Sequence, residues 1–309
     1  MIPSSFDYLA PATLGEAVNL LHEHAGDAKI LAGGQSLIPM LKLRLAEPAL
    51  LIDINRIPGL GYVDERDGSL RIGALARESD LETASVVRQR YQILNDTTAV
   101  IADPLVRNSA TVCGNIAHGD PGNDHPATML ALEATFVAVG PRGERRIAAR
   151  DFFLGLFSTA LNEDEILEEI VVPRPTAPAA GAYLKLERKV GDYATAGVAV
   201  QLTLDASGGC ARAGIGLTNV GAMAIEAVRA QDFLRNKPLD SPTIAQAAEI
   251  AAGEADPIED RRGSADYKRD VVRVLTARAI RIAANRAAGA NIATPLPFTY
   301  SPSQAALRS

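Results

Sequence analysis

Two glycine-rich turns are the parts of the sequence whose residue types could bind a large anionic ligand. The first, AGGQS at 32–36, lies between the apolar runs AKIL and LIPML. The second, TVCGN at 111–115, is followed by a further turn at 119–124. Glycine lets a backbone approach a bulky ligand closely, and free N–H groups in such turns bind phosphate oxygens. The pair is therefore typical of dinucleotide binding by two loops.

The first turn matches neither of the common nucleotide motifs. A P-loop needs GxxxxGK[ST], and the second glycine and the lysine are absent. A Rossmann turn needs GxGxxG and an acid about 20 residues further on. Asp53 has that spacing from Gly33, but only two adjacent glycines are present. The residues alone leave two interpretations open: a structural turn, or one half of a diphosphate cradle that the second loop completes.

The second loop also offers the ligand types of a transition-metal site. His118, Asp120, Asp124 and His125 lie close together in the sequence, and imidazole and carboxylate groups bind such metals. The alternative hypothesis is thus a metal-dependent hydrolase that uses a metal-bound water. A hydrogen-bonded structural role is the commoner explanation for either histidine.

The elements before residue 175 place both turns between strands and helices. TLGEAVNLLHEH predicts a helix over 13–24, with Thr13 as N-cap and Glu16 as its capping-box partner. A strand at 28–33, a helix at 36–45 and a strand at 49–57 predict a βαβ unit. Later segments predict a hairpin at Asp67-Gly68, a helix over 79–102, a hairpin turning at 140–143 and a strand in ILEEIVVPRP.

The proline-rich segment at 172–182 is the best candidate linker, and an α+β pattern follows it. Beyond it we expect strands at 197–206 and 211–220 and helices at 221–235, 241–253 and 264–288. The predicted domains are therefore residues 1–175, in lobes of about 1–58 and 59–175, and residues 176–290. Residues 291–309 are expected to form an extended or disordered tail.

Composition limits the possible partners. A net charge of −6 without a basic block argues against nucleic acid and anionic membranes. The two cysteines, Cys113 and Cys210, form no CxxC cluster, so we expect neither a disulfide framework nor an iron–sulfur cluster in this chain. No signal peptide or 18-residue apolar run is evident, which predicts a cytoplasmic protein.

The two loop motifs, together with LLIDINRI, IADPLVRN, LKLERKVGDYATAGVAV and IGLTNVGAMAIEA, resemble the FAD-binding medium subunits of the molybdenum hydroxylases. The similarity covers nearly the whole chain and is greatest to the aerobic carbon monoxide dehydrogenase group within the xanthine dehydrogenase family. It implies an α+β fold, with a two-lobed FAD-binding domain of the vanillyl-alcohol-oxidase/PCMH type and a C-terminal α+β domain.

The resemblance also implies which residues contact FAD. The first motif would bind the pyrophosphate through backbone N–H groups, and the second would complete the cradle. Tyr193 corresponds to an aromatic position close to the flavin ring. No residue is implied as a general acid, a general base or a metal ligand. The implied contacts are Lys29, Ile30, Leu31, Ala32, Gly33, Gly34, Gln35, Ser36, Ile101, Thr111, Val112, Cys113, Gly114, Asn115, Asp124, Leu161, Lys185 and Tyr193.

The implied function is electron transfer within a heterotrimer. A large subunit would bind molybdopterin, a small subunit would carry two [2Fe-2S] clusters, and FAD in this chain would pass electrons to an external acceptor such as a quinone. The implied assembly is a dimer of heterotrimers, with a peripheral position at the inner membrane as one expected location. A non-catalytic dinucleotide-binding module is a further alternative.

Cys113 is the one clear departure from the family pattern, because it replaces the first glycine of the second motif. If that position needed a positive φ, the cysteine would cost about 1–3 kcal/mol of strain. We expect instead a backbone that accepts a Cβ, and a thiol that serves as a small buried apolar group rather than as a redox partner of the flavin.

Overall fold

The computed structural model describes residues 2–176 and 178–294 and the backbone of 298–299. Its internal contacts divide the chain into two compact units. Unit 1 comprises residues 2–81, 104–119 and 134–173, and unit 2 comprises residues 82–103, 120–133 and the described residues from 174 onward. The chain therefore enters unit 2 twice before it reaches the proline-rich segment.

The described residues form eleven α-helices and fifteen strands. The helices are α1, Leu14–Glu23; α2, Leu37–Leu43; α3, Glu78–Thr83; α4, Ser85–Arg90; α5, Gln92–Ala99; α6, Pro104–Arg107; α7, Val112–His118; α8, Asp124–Ala131; α9, Val228–Leu234; α10, Ser241–Ala252; and α11, Ala265–Ala287. The strands are β1, Asp7–Leu9; β2, Ala28–Leu31; β3, Leu50–Asp53; β4, Val63–Arg66; β5, Ser69–Gly73; β6, Thr135–Gly140; β7, Gly143–Ala148; β8, Phe153–Gly155; β9, Ser158–Thr159; β10, Ile166–Pro173; β11, Ala179–Glu187; β12, Ala194–Leu204; β13, Cys210–Thr218; β14, Ile225–Glu226; and β15, Phe298–Thr299.

The first sheet of unit 1 contains the predicted βαβ unit. Strands β2 and β3 pair in parallel around the short helix α2, and β1 adds a third parallel strand in the order β1-β3-β2. The predicted cap of α1 is confirmed, since the Thr13 side chain accepts a hydrogen bond from the Glu16 N–H at 3.2 Å. The apolar face of α1 joins Leu50 and Ile52 of β3 in one buried core.

The second sheet of unit 1 is antiparallel, in the order β4-β5-β10-β6-β7. Both predicted hairpins are present. Asp67 and Gly68 join β4 to β5 with φ values of 50° and 71°, as a two-residue type I′ turn requires. The ring of Phe136 on β6 packs edge to face with those of Phe152 and Phe153, and the three ring centroids lie 4.5–6.0 Å apart.

The sheet of unit 2, in the order β14-β13-β12-β11-β15, is covered by helices on both faces. Ile215 and Leu217 of β13 belong to the apolar core that includes α10 and α11. Because neighbouring residues of a strand point to opposite faces, Gly214 and Gly216 face the other way. A Cβ at either glycine would collide with the backbone of α8, so this helix packs directly on the strand.

A buried ion pair connects three elements of unit 2. Arg286, near the end of α11, donates to both carboxylate oxygens of Asp96 on α5, at 2.6 and 3.2 Å. The same guanidinium donates to the Gly181 carbonyl of β11 at 2.7 Å. The side chains are 2% and 0% exposed, so the pair neutralises two charges that water cannot reach.

Two predicted helices are wrong in extent. Residues 79–102 form the separate helices α3, α4 and α5, because the backbone is extended at Ala84 and irregular at the buried Tyr91. The helix predicted over 221–235 begins only at Val228, since β14 pairs with β13 immediately before it.

The predicted tail at 291–309 falls largely outside the described residues, which cover only 291–294 and 298–299 of it. The latter pair forms β15, parallel to β11. Within the part of the chain that the structure describes, no helix is both long enough and apolar enough to cross a membrane.

Candidate functional site

The turn at Gly33 and Gly34 lies against the loop that leads into the second motif, within unit 1. A Cβ at Gly33 would lie 2.8 Å from the Ala110 Cα and 2.9 Å from the Thr111 nitrogen, and closer still to the Ser109 carbonyl oxygen. Gly34 has φ +72°, a left-handed conformation that favours glycine. The structure thus brings together the two loops that the sequence places 75 or more residues apart.

Hydrogen bonds from two polar side chains join these loops. The Asn55 Nδ2 donates to the Ala32 carbonyl at 2.8 Å and to the Asp53 Oδ1 at 2.6 Å. Arg77 donates to the Asn55 Oδ1 and to the Ser109 carbonyl, each at 2.7 Å. Asn55 and Arg77 thus connect Ala32 in the first loop to Ser109 in the segment before the second. Sequence reasoning missed Asn55 and Arg77, because no local pattern shows which loops they join.

Asp53 belongs to this set of hydrogen bonds between the loops and is not a ribose-binding acid of the Rossmann type. Its Oδ2 accepts from the Tyr8 hydroxyl at 2.6 Å, and its Oδ1 accepts from the Asn55 N–H at 2.8 Å. Burial favours protonation, but these hydrogen bonds outweigh it and lower the pKa of Asp53. The carboxylate therefore stays charged and holds Asn55 in place.

The second motif forms the start of α7. The Thr111 hydroxyl accepts a hydrogen bond from the Gly114 N–H at 3.1 Å, which makes Thr111 the N-cap. A Cβ at Gly114 would lie 2.5 Å from that hydroxyl oxygen. Gly114 is therefore the glycine whose missing side chain leaves room for the cap.

Cys113 takes part in the helix without strain. It is absent from the residues with positive φ, so the expected accommodation of a Cβ is confirmed. Its thiol is buried, with Sγ 3.5 Å from the Gly73 carbonyl and 3.6 Å from the Ile72 carbonyl. Burial, reinforced by nearby glutamates, strongly raises the pKa of the Cys113 thiol. The side chain is a neutral packing group at neutral pH.

In unit 2, Asp124 and Lys185 form part of a buried polar network. The Asp124 carboxylate accepts from the Tyr183 hydroxyl at 2.5 Å and from the Lys185 ammonium at 3.0 Å. Lys185 also donates to the Val100 carbonyl at 3.1 Å and lies 3.4 Å from Glu187. Burial and the Asp124 charge raise the pKa of Tyr183 well above its ordinary value. Two hydrogen bonds and the ion pair with Glu187 thus hold the ammonium in one place.

The three other predicted contacts differ in exposure. Tyr193 follows β11 in unit 2 and is 48% exposed. Ile101 is buried just after α5 in the same unit, and Leu161 is half-buried between β9 and β10 of unit 1. Unit 1 therefore holds Leu161 and both loop motifs, while unit 2 holds Ile101, Asp124, Lys185 and Tyr193.

Comparison with known proteins identifies the family. A model of the FAD-binding domain in molybdopterin dehydrogenases matches residues 4–175, and a model of the CO dehydrogenase flavoprotein C-terminal domain matches residues 181–283. The carbon monoxide dehydrogenase medium chain of Hydrogenophaga pseudoflava is 45% identical over 93% of this chain and 100% of its own length. The chain belongs to the FAD-binding medium subunits of the molybdenum hydroxylases.

Other relatives of this medium-subunit family support the assignment. The 6-hydroxypseudooxynicotine dehydrogenase complex subunit alpha of Paenarthrobacter nicotinovorans is 38% identical over 93% of this chain and 97% of its own length. A solved structure of the Hydrogenophaga pseudoflava carbon monoxide dehydrogenase contains a chain that is 46% identical, with a TM-score of 0.90 over 93% of this chain and 99% of that one. The expected α+β fold, FAD cofactor and oxidoreductase class are thereby confirmed.

The metal-hydrolase alternative gains no support from this medium subunit. Among the described residues, no group of three or more His, Cys, Asp or Glu side chains is arranged to hold a metal ion. Both oxygens of Asp124 accept hydrogen bonds from Tyr183 and Lys185. The His118 ring packs on Phe157, with ring centroids 5.1 Å apart.

Proposed function

We propose that this chain is the FAD-bearing electron-transfer subunit of a heterotrimeric molybdenum hydroxylase. It would receive electrons from [2Fe-2S] clusters of a small partner subunit and pass them through FAD to an external acceptor such as a quinone. A cluster of this kind needs four ligands, mostly cysteine thiolates. The chain has two cysteines, both buried, which supports a location of the clusters in another chain.

The backbone contact between the two loops carries the proposal. Lys29 to Ser36 and Thr111 to Asn115 would together hold the pyrophosphate of FAD. The two loops meet at Gly33, where the backbone of residues 109–111 leaves no space for a side chain. None of the four N–H groups at 33–36 donates to a backbone acceptor among the described residues. Such N–H groups suit phosphate oxygens, which need donors and little bulk.

Five further residues carry over as expected FAD contacts: Ile101, Asp124, Leu161, Lys185 and Tyr193. Asp124 and Lys185 are fixed by the buried network with Tyr183. Their rigidity supports a role in holding the cofactor at one position. When bound, the flavin supplies a centre that exchanges one or two electrons. The chain's own residues would bind and orient it, and none is assigned as a general acid or base.

The partners follow from the same proposal. A large subunit would hold molybdopterin and oxidise the substrate, a small subunit would hold the iron–sulfur clusters, and two heterotrimers would pair. The two curated relatives are named as a medium chain and as the subunit of a dehydrogenase complex, which supports a place in a larger assembly. Their different names also support a substrate that is chosen by another subunit.

The test is purification of the affinity-tagged full chain from its native host, with whatever copurifies. The proposal expects a yellow-brown complex with one FAD per tagged chain, and iron and molybdenum in copurified chains. It also expects dye reduction when a substrate such as carbon monoxide is supplied. A colourless preparation whose activity is lost to chelators would overturn the proposal in favour of a metal-dependent hydrolase. FAD without any acceptor reduction by the complete complex would favour a non-catalytic binding module.

A further inference from the structure

We propose that Arg262 is a positioning residue that holds the ring of Tyr193 at a fixed place in unit 2. The inference rests on the proposed function, in which Tyr193 lies close to the flavin. Arg262 lies in a charged segment, EDRRGSADYKRD, that leads into α11, and a charge-rich helix entry is usually a solvated surface. The contacts of the described residues assign Arg262 a more specific role.

Tyr193 is held more firmly than its exposure requires. Its ring lies against Gly122, where a Cβ would be only 2.9 Å from the ring carbon Cδ1. The Arg262 guanidinium carbon lies 5.9 Å from the ring centroid, within the range of a cation–π contact of about 6 Å. An exposed aromatic side chain with no positional role needs neither contact. Gly122 and Arg262 together restrict a ring that remains 48% exposed.

Arg262 is itself held in place by a carboxylate next to the ring. Its Nη2 donates to the Asp192 Oδ1 at 3.1 Å, and its backbone N–H donates to the Asp260 Oδ1 at 2.7 Å. Its Nε is buried and has no hydrogen-bond partner among the described residues. Leaving a buried donor unpaired costs stability. The guanidinium therefore does not occupy the place that would best satisfy its own hydrogen bonds.

Arg188 provides a matched comparison, because it pairs with the same carboxylate. Its guanidinium donates to the Asp192 Oδ2 at 3.0 and 3.1 Å. Its side chain is 50% exposed, against 22% for Arg262. No ring contact is found for Arg188 in the described structure. Removing either arginine takes one cation from Asp192, but only Arg262→Met also removes the contact with Tyr193.

The experiment measures FAD content and flavin fluorescence of the purified complex. Tyrosine in contact with flavin quenches its emission by donating an electron to the excited ring, and phenylalanine does not. Loss of a cation–π contact corresponds to a roughly two- to five-fold change in the ratio of seated to displaced ring. Arg262→Met displaces part of the quenching ring and is therefore expected to raise flavin emission while the FAD content stays unchanged. Arg188→Met is expected to leave emission at the wild-type level.

A double-mutant comparison separates positioning from general loosening. In a Tyr193→Phe background, Arg262→Met should add no further emission, because no quenching ring is left to displace. Equal emission of Arg262→Met and wild type would overturn the inference. An equal rise in emission in both backgrounds would also overturn it, and so would loss of FAD from Arg262→Met alone. Either outcome would mean that Arg262 only stabilises the fold. Absence of FAD from the wild-type complex would instead refute the proposed function.

Discussion

Replacement of Gly33 by alanine tests the contact on which the cofactor assignment depends. The new Cβ would lie 2.8 Å from the Ala110 Cα, whereas carbon atoms prefer a separation of about 3.5–4.0 Å. The neighbouring atoms are backbone atoms held by Arg77 and Asn55, so the loops must move apart by roughly 1 Å. Overpacking of this kind costs about 1–3 kcal/mol.

That strain should lower both stability and cofactor affinity. We expect the full chain to unfold at a lower urea concentration, as measured by circular dichroism. We also expect FAD affinity to fall about tenfold for each 1.4 kcal/mol of strain that opposes binding. FAD affinity is measured by titrating the cofactor-depleted complex while flavin fluorescence is recorded.

Gly15→Ala is the matched control, because outside the backbone of α1 itself and the adjacent residues no described atom lies within 4 Å of a Cβ at that position. It should stabilise the helix by about 0.5–1 kcal/mol and leave FAD affinity unchanged. If Gly33→Ala keeps both the wild-type midpoint and the wild-type affinity, the two loops do not meet as described. If it unfolds earlier but binds FAD normally, the contact is structural and the cradle lies elsewhere.

Three further outcomes are expected. Asp96→Asn leaves the buried Arg286 cation without its counter-charge and should destabilise the chain by about 3–5 kcal/mol in urea unfolding; a smaller loss than 1 kcal/mol would contradict the burial of the pair. Burial, reinforced by two neighbouring glutamates, raises the pKa of Glu168, so its contribution to stability is fully present below pH 4.5 and is lost as the pH rises through the raised value. Glu168→Gln should therefore gain stability over wild type as the pH rises across that window, and equal pH profiles would refute the raised pKa. Cys113 and Cys210 are buried, and burial raises the pKa of Cys210 to about 11; Ellman's reagent should label neither thiol at pH 8 in the folded chain and both in urea, and rapid labelling of folded protein would disprove this.

Local patterns were sufficient for the elements whose signals are contained in a few neighbouring residues. The N-cap at Thr13, the Asp67-Gly68 turn and the βαβ unit follow from side-chain chemistry and from apolar periodicity. Patterns failed where a distant strand or buried ring decided the outcome. Tyr91 interrupts a helical composition because it is buried, and β14 replaces the start of a predicted helix because β13 offers it a paired edge.

The candidate site shows the same division. The sequence shows that both loops are rich in glycine, but it does not show how close the two loops lie in space. Arg77 and Asn55 join the loops through contacts with residues more than 20 positions away, and Arg262 reaches Asp192 across 70 positions. Such pairings depend on topology, and a single sequence carries no local signal for them.

The packing of α8 on β13 has a consequence for how the chain is made. All eight residues of α8 are buried, yet the strand that covers them, with Gly214 and Gly216 at the contact, is synthesised much later. A ribosome that has just released the proline-rich segment has exposed every segment of unit 1, but α8 still awaits its sheet. We therefore expect fragments that end near residue 175 to aggregate or to recruit chaperones, because the most obvious place to cut the sequence separates this helix from the strand it needs.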